Sequence, residues 1–426
     1  MIDINRIREN KKDVEKALLK RMDKINLDEL LEWDKEKRKI GTLMDEYRAQ
    51  RRKVSDTIPA LKKEGKDTTD ILNEMKELGD KIDEGMVKYN ELDKKIFDFL
   101  AVLPNIPDED VVEGGKENNE VIKTRGEKPE FDFELKPHYE ILKDLKMIDF
   151  NRGTKIAGEK NWVYTGIGAR LEWALVNFFI DTHLEDGYEF MLLPYLLNYD
   201  CGFGAGQFPK FTEEVYKIQT EDDNIKFLLP TAETALVNLH AGEIMDIDDL
   251  PKKYFGYTQC FRVEAGSSRE EERGTIRGHQ FNKVEMVQYT TDDKSEVAFE
   301  ELVNKAMYLM DKLGLHYQVS KLAAGDCSQG MCRTYDIEVW IPSMGIYKEV
   351  SSVSNARDYQ ARRNNTKYRV KETGKTQFVH TLNGSGLATS RVFPALLEQY
   401  QNEDGSITIP EVLRPFMNGQ EKITLK

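Results

Sequence analysis

The chain has 426 residues, 39% hydrophobic and 32% charged, with a formal net charge of −14. That length suggests two or three domains around a sizeable core, with the composition of a soluble globular protein. The acidic balance excludes a protein that coats nucleic acid nonspecifically, so an RNA partner would have to be met by local basic patches.

The opening MIDINRIREN is charged from the start and has no apolar core of a secretion signal, and no later apolar run is long enough to span a bilayer. The cytoplasm is the expected compartment, with no membrane partner. Residues 27 to 103 carry two stripes at alternating three- and four-residue spacing. The first runs Leu30, Trp33, Lys37, Ile40, Met44, Tyr47, Arg51, Val54, Ile58, Leu61; the second runs Ile71, Met75, Leu78, Ile82, Gly85, Tyr89, Leu92, Ile96, Phe99, Leu103. The polar turn KKEGKDTTD between them predicts an antiparallel helical hairpin, each arm on the order of 50 Å long. Lys37 and Arg51 interrupt the stripe as basic residues on a projecting arm would, and are candidate RNA contacts. Residues 104 to 130, rich in proline, glycine and acids without period, are expected to be a linker.

From Phe131 onward, helical patterns mix with strands that are neighbours in sequence, such as TYDIEVWI and GIYKEVSS. Short turns between such strands predict an α+β domain on an antiparallel β-sheet flanked by helices. LEDGYEFMLLPYLLN reads as a helix entering a buried strand, and PTAET places Thr231 beside Glu233 at a helix start. CFRVEA and TIRGHQFNKVE read as two strands joined by the polar loop GSSREEERG. Alternation puts Arg262 and Glu264 on one side, and Arg277, Phe281 and Glu285 on one face of the return strand. Guanidinium forks suit phosphate oxygens, the ring suits a nucleobase, and the carboxylates suit an ammonium or a metal. The inventory describes a site for ATP and a small amine. YKEVSS adds Glu349 and Ser352, hard oxygen donors for Mg²⁺, and the glycines of HTLNGSGLATSR allow close backbone approach to a ligand. A GxxxxGK[ST] phosphate loop is absent, and GFGAGQFPKF has neither its lysine nor its context.

FRVEAG with RGHQFNKVE, HTLNGSGLATSR, GYEF reaching Pro194, TAE, and the N-terminal hairpin occur in an order that resembles the seryl-type class II aminoacyl-tRNA synthetases over nearly the whole chain. The resemblance implies a tRNA-binding domain over 1–103, a linker over 104–130 and a class II catalytic domain over 131–426. It implies ATP binding by Arg262, Val263, Glu264, Arg277, Phe281, Glu349, Val350, Ser351, Ser352 and Arg391, with Glu349 and Ser352 at Mg²⁺. L-serine would be held by Thr231, Ala232, Glu233, Glu285, Asn383 and Ser385, and Arg262 and Arg391 would be catalytic. It further implies a homodimer through the GYEF segment, and an arm that reads tRNA(Ser), with tRNA(Sec) as a second acceptor. Arg269 and Arg273 in the hairpin loop would meet the acceptor end.

Three departures stand out: Ser390 where the family commonly has glycine, TAETAL for TAEVPL, and GDCSQGMCRTYD for GDMGxGAxxTYD. None removes a charged ligand; they bear on the fit around serine and on the reactivity of Cys327. The four cysteines, Cys201, Cys260, Cys327 and Cys332, are too scattered for a disulfide framework and have no zinc spacing, so buried free thiols are expected. The expected activity is that of a serine–tRNA ligase. The alternatives are a synthetase-like ligase that loads a carrier protein, and a non-catalytic coiled-coil interaction protein.

Overall fold

The computed structural model describes residues 1–220, 224–264 and 274–424. It divides into two compact units, one of Ile2–Lys16 and Asp23–Leu103, the other of Met1, Ala17–Met22 and Pro104–Lys426.

The first unit is dominated by α1 (Asp28–Lys63) and α2 (Thr69–Val102), which a short turn folds against each other. Leu30 and Met44 of α1 and Leu78, Leu92 and Ile96 of α2 are buried, all from the two stripes. Apolar residues that recur every three or four positions share one helix face, and each stripe is covered by the other. Gly85 sits where the helices close: a Cβ there would come within 2.9 Å of Met44 Cγ. Lys37 is held inside the hairpin, 2.5 Å from Asp93 with its ammonium 5.1 Å from the Tyr89 ring centroid, whereas Arg51 is exposed.

In the second unit, β1 (Glu120–Arg125), β2 (Glu189–Met191), β3 (Lys252–Phe261), β4 (Gln280–Thr290), β5 (Tyr317–Lys321), β6 (Arg333–Ile341), β7 (Ile346–Arg357) and β8 (His380–Ala388) make one eight-stranded sheet. Its order is β1-β5-β6-β7-β8-β4-β3-β2. Every pairing is antiparallel except that of β2 with β3. Helices α3 (Gly166–Glu185), α4 (Ser295–Leu313) and α5 (Thr389–Gln399) supply Phe179, Phe299, Leu302, Phe393 and Leu396 to a core shared with Val284, Met286, Ile337, Val339 and Leu382 of the sheet. Strand alternation turns the residues between them to the other face. That face carries Lys283 and Glu285 on β4, Thr334, Asp336 and Glu338 on β6, and Asn383 and Ser385 on β8.

The sequence-based reading needs correcting at the hairpin. β3 stops at Phe261 and β4 begins at Gln280, so Arg262, Glu264 and Arg277 belong to the connection and not to the strands. Glu264 has φ +51°, which ends the extended run, and Gly278 lies so close to the Trp162 ring that a Cβ would meet it at 2.3 Å. Pairing persists one step further, since Arg262 N–H donates to the His279 carbonyl at 2.9 Å. Residues 120–125 of the stretch expected as a linker form the edge strand β1. No helix of the described residues is long and apolar enough to cross a membrane.

Phe299 is fully buried and Leu72 is 52% exposed. Phe299→Ala should cost about 3–5 kcal/mol and lower the urea midpoint, and Leu72→Ala about 0.5 kcal/mol or less.

Candidate active site

Two adjoining cavities of about 500 and 340 Å³ open on the polar face of the sheet, and Thr231, Glu233, Arg262 and Glu349 line both. A recess of about 50 Å³ continues between Arg277, Phe281, Val350 and Arg391. The expected ATP and serine groups therefore converge, from segments up to 160 residues apart, on one continuous space. Ala232, Val263 and Ser351 do not line it. Ala232 is fully buried, Val263 N–H donates to the Glu214 carbonyl, and the Ser351 hydroxyl donates to the Ser385 carbonyl at 2.6 Å, bracing β7 against β8.

At the amino-acid end, β4 faces β8 with Glu285 opposite Ser385, and the register shifts between Lys283 and Glu285. Such a bulge re-aims side chains beside a site. Glu285 accepts from Ser385 Oγ at 3.0 Å and Asn383 Nδ2 at 3.3 Å, and pairs directly with the Lys283 ammonium. Lys283 also donates to Thr231 Oγ1 at 2.7 Å. Both members of this ion pair are buried. Across the cavity Glu233 accepts from Gln360 Nε2 at 2.9 Å, and burial, reinforced by the Glu285 charge, pushes its carboxyl up to about 7. Two carboxyls and one ammonium thus surround a space that still accepts one positive charge.

At the phosphate end the arginines are held by carboxylates. Arg277 Nη1 lies 2.5 Å from Glu264 Oε2, and Arg391 Nη1 lies 3.3 Å from Glu349 Oε2 and donates to the Glu349 carbonyl at 2.7 Å. Arg262 is aimed by a bond from Nε to the Pro230 carbonyl at 3.3 Å, its guanidinium 5.2 Å from the Phe281 ring centroid. Burial works against ionisation of Glu349, but Arg391 and Arg262 outweigh it and hold its carboxyl below the usual range. Asp336 is the opposite case. Burial, then the Glu349 charge, pushes it well up, and its Oδ1 is buried with no hydrogen-bond partner among the described residues.

For Mg²⁺ the donor set is of the right chemistry: the Glu349 carboxylate, the Ser352 hydroxyl and the orphaned Asp336 oxygen are hard ligands around one cavity. Among the described residues no group of three His, Cys, Asp or Glu side chains is placed to hold a metal by itself. The set fits a cation that arrives with phosphates.

Sequence reasoning missed several lining groups. Lys283 shares the alternation that placed Phe281 and Glu285, so its signal was present. Gln207, Ser328 and Met331 lie in the GFGAGQFPKF and GDCSQGMCRTYD segments, where no single residue was assigned to the site, and Gln360 is 127 residues from the Glu233 it supports. Arg269 and Arg273 lie outside the described residues. The four cysteines are free thiols; three are buried and Cys201 is partly so.

Comparison with known proteins gives the same reading. The seryl-tRNA synthetase N-terminal domain matches residues 1–107, and the class II tRNA synthetase core domain for G, H, P, S and T matches residues 216–400. The chain is 54% identical to serine–tRNA ligase 2 of Clostridium acetobutylicum, covering 99% of this chain and 100% of that protein. It is 44% identical to serine–tRNA ligase of Geobacillus kaustophilus, at 99% and 100% coverage. Its fold superposes on seryl-tRNA synthetase from Pyrococcus horikoshii complexed with ATP at a TM-score of 0.93 and 34% identity, with both chains covered in full. It superposes on cytoplasmic serine–tRNA ligase from Naegleria fowleri in complex with AMP at 0.88 and 27% identity, over 100% and 99% of the two chains. The chain belongs to the seryl-tRNA synthetase family of class II synthetases.

Proposed function

We propose that the chain activates L-serine with ATP and transfers it to the 3′ end of tRNA(Ser). The observation that carries this reading is the junction of the Thr231–Lys283–Glu285–Ser385 pocket with the Arg262–Phe281–Arg391 recess in one cavity. The serine carboxylate attacks the α-phosphorus in line, giving seryl-adenylate and pyrophosphate, and the tRNA hydroxyl then takes the acyl group and releases AMP. No protein nucleophile is needed, because the attacking carboxylate is ionised at neutral pH. Positioning and charge stabilisation supply the catalysis.

Glu233 and Glu285 hold the serine ammonium, and Thr231, Asn383 and Ser385 surround the hydroxyl. Phe281 stacks the adenine beside Arg262. Arg262 meets the α-phosphate, and Arg277 and Arg391 exchange their carboxylate partners for the triphosphate tail. Glu349 and Ser352 would hold Mg²⁺, which supplies charge neutralisation on the phosphates when bound. A site that hydrogen-bonds a hydroxyl rejects analogues lacking it by about 10⁴ or more.

The helical hairpin of residues 27–103 is the tRNA-reading element, with Arg51 its exposed basic candidate. Arg269 and Arg273 are the candidates for the acceptor end. Residues 104–130 lead from that element into the catalytic domain and give its sheet the edge strand β1. The N-terminal match and the full-length relatives favour tRNA over a carrier protein as acceptor, and tRNA(Sec) is a second acceptor for the same assay. Trp173 and Leu184 of α3 and Leu192 after β2 are 51%, 48% and 81% exposed, large apolar side chains in and beside the segment assigned to a homodimer interface. The cytoplasm is where ATP and tRNA are both at hand.

Three outcomes test this reading. Serine should support ATP–pyrophosphate exchange in preference to threonine or alanine, and Arg262→Ala should lower kcat by about 10²–10³ with the fold intact; exchange that prefers either competitor sinks the serine assignment. Deletion of residues 27–103 should spare exchange and cripple tRNA charging; charging that survives removes the arm's assigned role. Because only ionised Glu233 can hold the ammonium, serine KM should rise about tenfold per pH unit as pH falls below 7, with ATP KM changing less. Glu233→Gln should raise serine KM at pH 8 and flatten that dependence.

A further inference from the structure

Residues Ser328–Met331, following Cys327, form a wall of the active-site cavity: Ser328 and Met331 line both of its parts, and Gln329 and Gly330 line the larger. The five consecutive backbone carbonyls from Cys327 to Met331 all accept hydrogen bonds from two residues, Arg21 and Asn105. Arg21 Nη2 donates to the carbonyls of Cys327 at 2.6 Å and Ser328 at 3.0 Å, and Nη1 to that of Met331 at 2.9 Å and to that of Asn105 at 3.1 Å. Asn105 completes the set: its N–H donates to the Gln329 carbonyl at 2.7 Å and its Nδ2 to that of Gly330 at 2.9 Å. Both residues belong to the catalytic unit, although Arg21 is 306 residues from Cys327.

We infer that Arg21 is a positioning residue for serine binding: through three carbonyls of the Cys327–Met331 loop and that of Asn105 it fixes the loop, and so the wall that Ser328 and Met331 present to the amino acid. Only a guanidinium has enough donors in a fixed plane to hold carbonyls from both ends of such a loop and from Asn105 together. The loop has no regular secondary structure of its own, so its shape depends on these bonds. Serine is small, and a wall displaced by about 1 Å would cost its binding on the order of tenfold to a hundredfold. The arginines and Phe281 at the ATP end are anchored elsewhere. The inference rests on the serine reading of the pocket.

Cys327 is a built-in reporter, only 6% exposed at the start of the clamped loop. The test compares Arg21→Met, Arg21→Lys and Lys20→Met in the full chain. It measures iodoacetamide labelling of Cys327 by peptide mass spectrometry, together with serine and ATP constants in pyrophosphate exchange. Lys20 is the control, because its ammonium donates to the carbonyls of Glu109 and Val111 at 2.8 and 2.7 Å and not to the loop. Arg21→Met should label Cys327 at least about tenfold faster and raise serine KM about tenfold, with kcat and ATP KM within about threefold. Arg21→Lys should fall between, and Lys20→Met should match wild type. Wild-type labelling and serine KM in Arg21→Met overturns the inference. If that variant does not fold, Arg21→Lys decides, and its matching wild type is the overturning result. Equal effects from Lys20→Met also overturn it, since general docking of the segment would then suffice. A wild-type chain with no serine-dependent exchange would instead refute the serine reading, and Cys327 labelling would still report on the clamp.

Discussion

A buried lysine paired with a buried glutamate at the centre of the sheet is the constraint around which the site is arranged. Lys283 and Glu285 are neighbours on one face of β4, both buried, and each compensates the other's charge. Their mutual pairing, with Thr231, Asn383 and Ser385 filling the remaining hydrogen-bonding capacity, leaves the floor polar, rigid and nearly neutral. Removing Glu285 alone would strand an ammonium in a space that tolerates it only when paired. Among the described residues Glu233 has no cationic side chain in direct contact, and burial with the Glu285 charge pushes its carboxyl up to about 7. In the proposed reading an α-ammonium completes that charge arrangement.

The phosphate end is built the other way round. Arg277 and Arg391 already have partners in Glu264 and Glu349, so the guanidinium forks are oriented before any nucleotide enters. Triphosphate oxygens can replace these carboxylates with little reorganisation, as preorganised electrostatic catalysis requires. Glu349 would then be released from Arg391 to meet a divalent cation carried by the phosphates. One end of the cavity carries two carboxyls to one ammonium and the other offers several guanidinium groups, and in the proposed reading the serine carboxylate lies at their boundary.

Local pattern in the sequence was enough for the features whose partners are near in the chain. The arm is legible because Leu30, Met44, Leu78, Leu92 and Ile96 repeat at helical spacing and meet across a short turn. Glu285 and Phe281 are legible because two-residue alternation on a strand needs no tertiary information. Lys283 obeys the same alternation, but a single lysine in a strand also reads as a solvated edge charge until its burial is known. The ends of β3 and β4 were misplaced because the positive φ at Glu264 and the contact of Gly278 with Trp162 are tertiary facts. Arg21 and Gln360 were invisible for a stronger reason: each acts on residues 306 and 127 positions away through backbone or amide bonds that leave no spacing signature.

The charge arrangement of the serine pocket is tested most directly by calorimetric titration of the protein with serine at pH 7, repeated in buffers of different ionisation heat. If the substrate ammonium completes a pocket in which Glu233 is about half protonated, binding should release roughly half a proton per site, and Glu233→Gln should abolish that release. Binding of serine with no proton release, or with proton uptake, would contradict the assignment of Glu233 as the carboxylate that the substrate ionises.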